Sequence, residues 1–429
     1  MTDDPHGYAD VIDGVDGPGL VGAVERLVAI PSLGGTDAEV DAQDAVAREW
    51  AALGLEVTSW DIDVAALAAE PDFPGMEVDR SAARGVIARI PGTGEGPTLL
   101  LLGHTDVVPP GDRGAWSSDP FRPEVRGDRL IGRGACDMKA GTASITYAAR
   151  ALLASGTRLR GDVVLAAVSG EEDGGLGTYA MLRHGITADA CILPEPTSLD
   201  LVPAHGGALT FRLRIHGRAT HASRRTEGVS AVEKMLPVLE ELRRLEARRN
   251  ETVDPLMQRW PVAYPLSIGT VHSGDWASTV PDLLIAEGRL GVALGETPAQ
   301  ARADLEGALA RLCDEDPWFA EHPVEVEWWG GQFAPGRTDP DHLVVRGLGQ
   351  VASGILGKAP EVYAAPSGSD LRLLVGAGIP TVHFGPGESS AAHAPAEWVD
   401  LRETVACAQV LAAYAMRFCG TTACTGRCG

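Results

Sequence analysis

No run of apolar residues in this 429-residue chain approaches the ~18–20 needed to cross a bilayer as a helix, so no membrane-spanning helix is expected. A disulfide scaffold is missing as well: seven cysteines, an odd number scattered over a long chain, do not make a framework. The opening stretch MTDDPHGYADVIDGVDG has neither a basic n-region nor an apolar h-region, so no secretory signal is expected there. These absences make a cytoplasmic, reduced protein the expectation. Positive charge is scarce, with 36 Lys and Arg against 59 Asp and Glu, a formal net charge of −23. A field of that sign repels phosphate backbones and anionic lipid heads, so nucleic acid and membrane are poor partners, although acidic surfaces also serve solubility alone. No internal repeat or low-complexity block stands out. Cys419, Cys424 and Cys428 crowd the tail FCGTTACTGRCG without forming a CxxC pair, and an inert tail is the simpler expectation.

What is present is a normal globular balance, 45% hydrophobic and 22% charged, over a length that suits about two or three domains. TLLLLG (98–103), DVVLAAVS (162–169), ACIL (190–193) and IPTVHFG (379–385) are short, nearly continuous apolar runs. That is the pattern of strands buried on both faces of a mostly parallel sheet. LEVTSW (55–60) reads as a further strand, after an amphipathic helix at 40–53 stopped by Gly54. Helices are expected at 140–155, and at 340–356 with Asp339 as N-cap and Pro340 at the first helical position. At the C-terminal helix, Asp400 and Glu403 form the pattern of a capping box.

The middle of the chain differs in character. ALTFRLRIH (208–216) alternates strictly, placing Leu209, Phe211, Leu213 and Ile215 on one side of a strand with one wet face. A helix at about 229–248, kinked or started at Pro237, comes next, then strands near 266–272 and 283–290. A helix at 297–313 with Thr297 and Gln300 as a capping box and the alternating VEVEWW (324–329) complete the series. The order β-α-β-β-α-β is that of a ferredoxin-like split βαβ unit. The expected architecture is therefore α/β: a mostly parallel-sheet domain of residues 1–205 and 331–429, with a ferredoxin-like α+β domain, residues 206–330, inserted into it. The loop 249–265, NETVDPLMQRWPVAYP, is long for so compact a unit and either shapes specificity or decorates the surface.

Candidate metal ligands fall just past the ends of the apolar runs. His104 and Asp106 follow TLLLLG, Glu171 and Glu172 follow DVVLAAVSG, Glu195 follows ACILP, and His393 comes shortly after IPTVHFGPG. Ligands of open α/β sheets bind outside the carboxyl ends of the strands, so four segments would deliver His and carboxylate groups to one edge. These are the ligand types of a catalytic zinc, which keeps a position open for water. Taken singly, each signal is weak. An H-x-D pair is usually incidental, and a Glu-Glu pair in a Gly-rich loop is usually just solvated. Asp137, in GRGACDMKAG, would equally cap the helix starting near residue 139. Their joint presence, in order, at strand ends points to a metal centre.

The matching stretches are GHTDVVP (103–109), W-SSDPFRPEV-RGDRLIGRGACDMKAG (116–141), SGEEDGG (169–175), PEPTS (194–198), GRATHASRRTEGVSAVEKM (217–235), SGSDLRLL (367–374) and HFGPGESSAAHAPAEW (383–398). In them the chain resembles the acetylornithine deacetylase / succinyl-diaminopimelate desuccinylase family of dinuclear-zinc aminoacylases and carboxypeptidases, across nearly its whole length. The resemblance implies two zinc ions per chain, with cobalt or manganese as substitutes. His104, Asp137 and Glu195 would hold one ion; Glu172, His393 and the bridging Asp137 would hold the other. It further implies that Asp106 orients the ring of His104, that Glu171 is the general base, and that the chain is a homodimer paired through its inserted lid domain. His221, in THASRR, would reach a partner subunit's site and hydrogen-bond the substrate carbonyl. Arg372, in SDLR, would contact a substrate carboxylate. Ser278, in STVP, stands where many relatives carry an asparagine that touches substrate, and Arg289 aligns only loosely with a lid arginine. Arg224, Arg225 and Arg337 are weaker candidates, since surface ion pairing accounts for most arginines. The implied reaction is metal-assisted hydrolysis of a small, carboxylate-bearing amide such as an N-acyl amino acid. Dipeptidase or carboxypeptidase activity on the same scaffold is the alternative, and a non-catalytic binding protein the remote one.

Overall fold

The computed structural model describes residues 5–422. Cys424 and Cys428 lie outside the described residues. Four parallel strands form the centre of the large sheet, side by side in the order Val163–Val168, Leu99–His104, Ala190–Leu193 and Thr381–His383. Antiparallel strands flank them: Arg84–Ile90 and then Glu56–Asp61 on one side, Leu201–His205 on the other. The central strands are buried along their whole length. Both faces are covered, and this is why their sequences are continuous apolar runs. Leu99, Leu101, Val163 and Leu165 pack into a core with Leu20, Val24, Ala148 and Leu411 from helices on one side. Leu100, Leu102, Val164 and Ala166 face the opposite way, onto Met181, Leu371 and Leu374. Each such buried Leu or Val stabilises the fold by about 1.5–3 kcal/mol.

Residues of the middle segment build a separate four-stranded antiparallel sheet in the order Leu266–Ser273, Leu283–Val292, Gly207–His216 and Glu325–Phe333. This is the ferredoxin-like order, with the first and third strands in the middle. Helices Ala231–Arg249 and Pro298–Ala310 cover one face. Leu209, Phe211, Leu213 and Ile215 are buried there against Val238, Leu242 and Leu305. The opposite face is wet, and on it Arg212 pairs with Glu287 and Glu327. The edge strand Leu266–Ser273 is mostly exposed.

Local expectations needed correcting in four places. The helix expected at 340–356 begins at Leu343 with His342 as its N-cap, because Asp339 turns its carboxylate onto the amide of Asp341 and closes a separate turn. Helix Ala231–Arg249 starts well before Pro237 and runs through it. Asp400 caps the C-terminal helix through the amides of Arg402 and Glu403, but Glu403 does not close a capping box; its carboxylate accepts the amide of Gly387 and holds the HFGPG loop. Loop 249–265 is neither decoration nor free: Met257, Ala263 and Tyr264 are buried against Ala204 and Ala364, and Trp260 Nε1 donates to the Ala364 carbonyl at 2.7 Å. It wedges between the antiparallel unit and the large sheet. Among the described residues no helix is long and apolar enough to cross a membrane.

Candidate metal centre

Strand Leu99–His104 ends on His104, whose ring is buried beneath the sheet edge. Thr142 Oγ1 donates to the His104 carbonyl at 2.9 Å and fixes the strand end against helix Ala140–Ala154. His104 Nε2 lies 3.1 Å from Asp137 Oδ1 and 3.9 Å from Glu195 Oε1. On the far side, Asp137 Oδ2 lies 3.6 Å from Nε2 of His393, and that nitrogen is 3.0 Å from Glu172 Oε2. Asp137 therefore sits between two imidazoles with one oxygen toward each. Ligand atoms of His104, Asp137 and Glu172 all lie within 4.8 Å of one another. Asp137 is not a helix cap: the helix begins at Ala140 with no side-chain cap, and the Asp137 carboxylate turns toward His104. Its backbone is non-helical, and the Asp137–Met138 peptide is cis.

Glu195 reaches this edge because the chain before it is squeezed between two glycines. A Cβ on Gly141 would lie 2.1 Å from the Pro194 carbonyl oxygen, and one on Gly385 would lie 2.3 Å from the same group. His393 occupies the left-handed region at φ 60°, uncommon for a side chain with a Cβ, and its imidazole is half exposed at the mouth.

Asp106 differs in detail from its expected role. His104 Nδ1 faces the main-chain carbonyl of Asp106 at 3.1 Å, while the carboxylate stands 3.6 Å from that nitrogen. The carboxylate instead accepts the amide of Glu172 at 3.1 Å, tying two strand-end loops together. Glu171 is buried and accepts the amide of Asp370 at 3.2 Å.

The electrostatics fit a cation. Burial, and then the charge of Asp137, push the carboxyls of Glu172 and Glu195 upward, Glu195 well above the usual range. Burial disfavours protonation of the imidazoles, yet the carboxylates of Asp106 and Asp137 beside the ring raise His104 well above its ordinary value. His393 is likewise raised to about 9, burial opposing and Glu172 prevailing. Carboxylates this crowded and dry need positive charge between them, and the His and carboxylate donors are of the type that zinc accepts.

Other expected residues are not brought to this cluster. The ring of His221 is exposed and pairs with Ser223 at 2.7 Å. Ser278 lies beside it, its carbonyl accepting the amide of Ala222. Arg372 is buried, and its two terminal nitrogens each donate at 2.7 Å to the carbonyls of Ser369 and Gly174. Its guanidinium lies 4.0 Å from the ring centre of Phe333, which also has exposed Arg289 at 5.7 Å. Arg224, Arg225 and Arg337 are ion-paired with Glu227, Glu233 and Asp254.

Two supporting groups escaped the sequence reading. Arg80, buried, bridges Glu39 at 3.0 Å and Asp173 at 2.7 Å, and Asp173 also accepts the amides of Glu77 and Val78. This braces the loop that carries Glu171 and Glu172. Glu397, four residues after His393, accepts the amides of Gly134, Cys136 and Asp137. Its place in AAHAPAEW was a usable signal; for Arg80 the local sequence offers none.

The chain is similar to known proteins in both sequence and fold. Residues 100–417 match a family model described as peptidase family M20/M25/M40. A succinyl-diaminopimelate desuccinylase of Gluconacetobacter diazotrophicus is 32% identical over 340 residues, covering 76% of this chain and 82% of that protein. An N-formyl-4-amino-5-aminomethyl-2-methylpyrimidine deformylase of Bacillus subtilis is 28% identical over 395 residues, 86% of each. In fold, a di-peptidase of Saccharomyces cerevisiae superposes with a TM-score of 0.77 at 15% identity, covering 97% of this chain and 99% of that one.

Proposed function

Because this chain belongs to peptidase family M20/M25/M40, whose members are metal-dependent hydrolases of amide bonds, we propose that it is a dinuclear-zinc enzyme that removes the acyl group from a small N-acyl amino acid. The observation that carries this reading is Asp137 standing between His104 and His393, with Glu172 and Glu195 beside them. His104 and Glu195 would complete one ligand set, Glu172 and His393 the other, with Asp137 common to both. Two zinc ions held by these residues would supply Lewis-acid polarisation of the amide carbonyl and offset the negative charge that develops on it.

The remaining chemistry belongs to side chains. Glu171 takes a proton from the attacking water and returns it to the leaving nitrogen. Burial, reinforced by the charges of Asp370 and Glu195, holds its carboxyl well above the usual carboxylate range and makes it a stronger proton acceptor than an ordinary carboxylate. Arg289 is the better placed of the two candidate arginines for a substrate carboxylate: it is exposed and enters no ion pair among the described residues, whereas Arg372 already donates to two carbonyls. His221 and Ser278 share one exposed platform next to the edge strand Leu266–Ser273, whose outer side is open among the described residues, and this supports their acting from a partner lid in a homodimer. Buried free thiols at Cys136, Cys191 and Cys407 suit a reducing, cytoplasmic location.

Dipeptide hydrolysis on the same centre is the second reading. It changes the leaving group and the pocket but not the roles above. The test is to strip the protein with a chelator, restore zinc, and measure both metal content and hydrolysis of N-acetyl, N-succinyl, N-formyl and N-carbamoyl amino acids and dipeptides. About two zinc ions per chain and release of one acyl group are expected. Folded protein that takes up no zinc overturns the centre; two bound zinc ions with no substrate of either class cleaved overturns the reaction.

A further inference from the structure

Three chain segments meet at a buried ion pair away from the reacting groups. Arg133 and Glu397 are 2% and 1% exposed, and Arg133 Nη1 lies 2.6 Å from Glu397 Oε2. The carboxylate is fully used. Oε2 also accepts the amide of Gly134 at 3.0 Å, while Oε1 accepts those of Cys136 at 2.8 Å and Asp137 at 3.0 Å. These amides belong to a stretch that leaves regular geometry, with Gly134 at φ 79° and Asp137 at φ −116°, ψ 99°. Such a stretch supplies no helical acceptors of its own, and buried amides need one.

The guanidinium works in the other direction. Arg133 Nη2 lies 3.3 Å from the carbonyl of His393 and 3.3 Å from that of Pro109. It thus links the segment carrying Asp137 to the loop carrying His393 and to the loop that leaves His104. The pair continues a short antiparallel ladder between Arg129–Ile131 and Trp398–Asp400, which brings the two segments together in the first place.

We propose that Arg133 and Glu397 are positioning residues that set Asp137 and His393 against each other, so that the affinity of the His393 half of the metal centre depends on them more than that of the His104 half. Glu397 acts on the bridging carboxylate through its backbone amide; Arg133 acts on His393 through its carbonyl. Neither side chain touches the reacting atoms. This inference rests on the dinuclear reading given above.

The experiment is cobalt titration of the metal-stripped chain, followed by visible absorption and calorimetry, with circular dichroism and thermal unfolding alongside. The parent is expected to bind two ions. Glu397→Gln keeps the shape but offers one acceptor in place of two and turns an amide donor toward other donors. It is expected to retain its dichroism and to weaken one of the two cobalt sites by about 10–100-fold, the usual effect of removing a partner that orients a ligand. Arg133→Lys keeps a cation for Glu397 but lacks the second arm to His393, and is expected to weaken one site by about tenfold or more. If Glu397→Gln does not fold, Arg133→Lys decides alone. A purely structural role would lower the unfolding temperature and leave the ratio of the two affinities as in the parent. Two-site binding with parent affinities in the folded variants therefore overturns the clamp and leaves the dinuclear reading intact. A parent that binds no cobalt, or only one ion, overturns both.

Discussion

Glu171 and Glu172, neighbours in sequence, meet different surroundings. Glu171 accepts the amide of Asp370 in a buried site, whereas Glu172 meets the ring of His393 at 3.0 Å. The difference predicts different failures. Glu171→Gln is expected to keep both zinc ions and lose on the order of 10²–10⁴-fold in turnover, since only proton transfer is removed. Glu172→Gln is expected to weaken zinc binding itself. Elemental analysis paired with initial rates separates the two, and near-parental turnover in Glu171→Gln would point to another base. Both carboxylates were legible in SGEEDGG. The resemblance implied His393 beside Glu172, but the amide of Asp370 at Glu171 was not legible, because it arrives from 199 residues downstream.

Among the elements, strands deliver the candidate ligands while helices and glycines decide how closely the delivering loops approach. Helix Ala140–Ala154 packs against the strand end at His104, and Gly141 in its first turn lets the Pro194–Glu195 segment lie against it. A Cβ at 2.1 Å from a backbone oxygen cannot be relieved by a rotamer change, so Gly141→Ala must push Pro194 and Glu195 outward. The variant is expected to lose about 1–3 kcal/mol of stability in urea unfolding, as overpacked sites do. It should also bind zinc more weakly on the half that includes Glu195. Parental stability together with parental zinc affinity would show that the segment has room to spare. The same packing logic explains the loop 249–265, whose length signals no freedom once Met257 and Tyr264 are buried.

For the whole molecule, we propose that the antiparallel unit pairs with a second copy of the chain. Its edge strand Leu266–Ser273 is exposed, and Val271, Trp276, Val232 and Leu236 are large apolar residues left on the unit's surface. An open edge with apolar neighbours favours pairing with a second sheet, and a two-fold axis would present His221 of each chain to the other. Mixing an inactive Glu171→Gln chain with an inactive His221→Ala chain, under conditions that allow subunit exchange, is therefore expected to restore activity. One site of each mixed dimer then holds both groups intact. A histidine acting within its own chain leaves both sites of the mixed dimer defective, and no recovery would appear. Removal of one such donor typically costs about 10²–10³-fold in rate, enough to read the recovery against background.

Local pattern determined the two sheets, because burial on both faces and burial on one face write different periodicities into a strand, as TLLLLG and ALTFRLRIH show. It also determined which side chains end the strands, since chain order alone places His104, Glu171, Glu172 and Glu195 after apolar runs. Tertiary structure decided how those groups stand relative to one another. Asp137 by itself reads equally as a helix cap and was a bridging ligand by the resemblance alone; in the structure its oxygens face His104 and His393. Arg372 is a substrate contact by the resemblance alone, and only the structure shows that its terminal nitrogens donate to two backbone carbonyls. Arg133 and Arg80 carry no local signature and Glu397 only its place in AAHAPAEW, because an amide in need of an acceptor is defined by the backbone around it, and the residues that satisfy it come from anywhere in the chain.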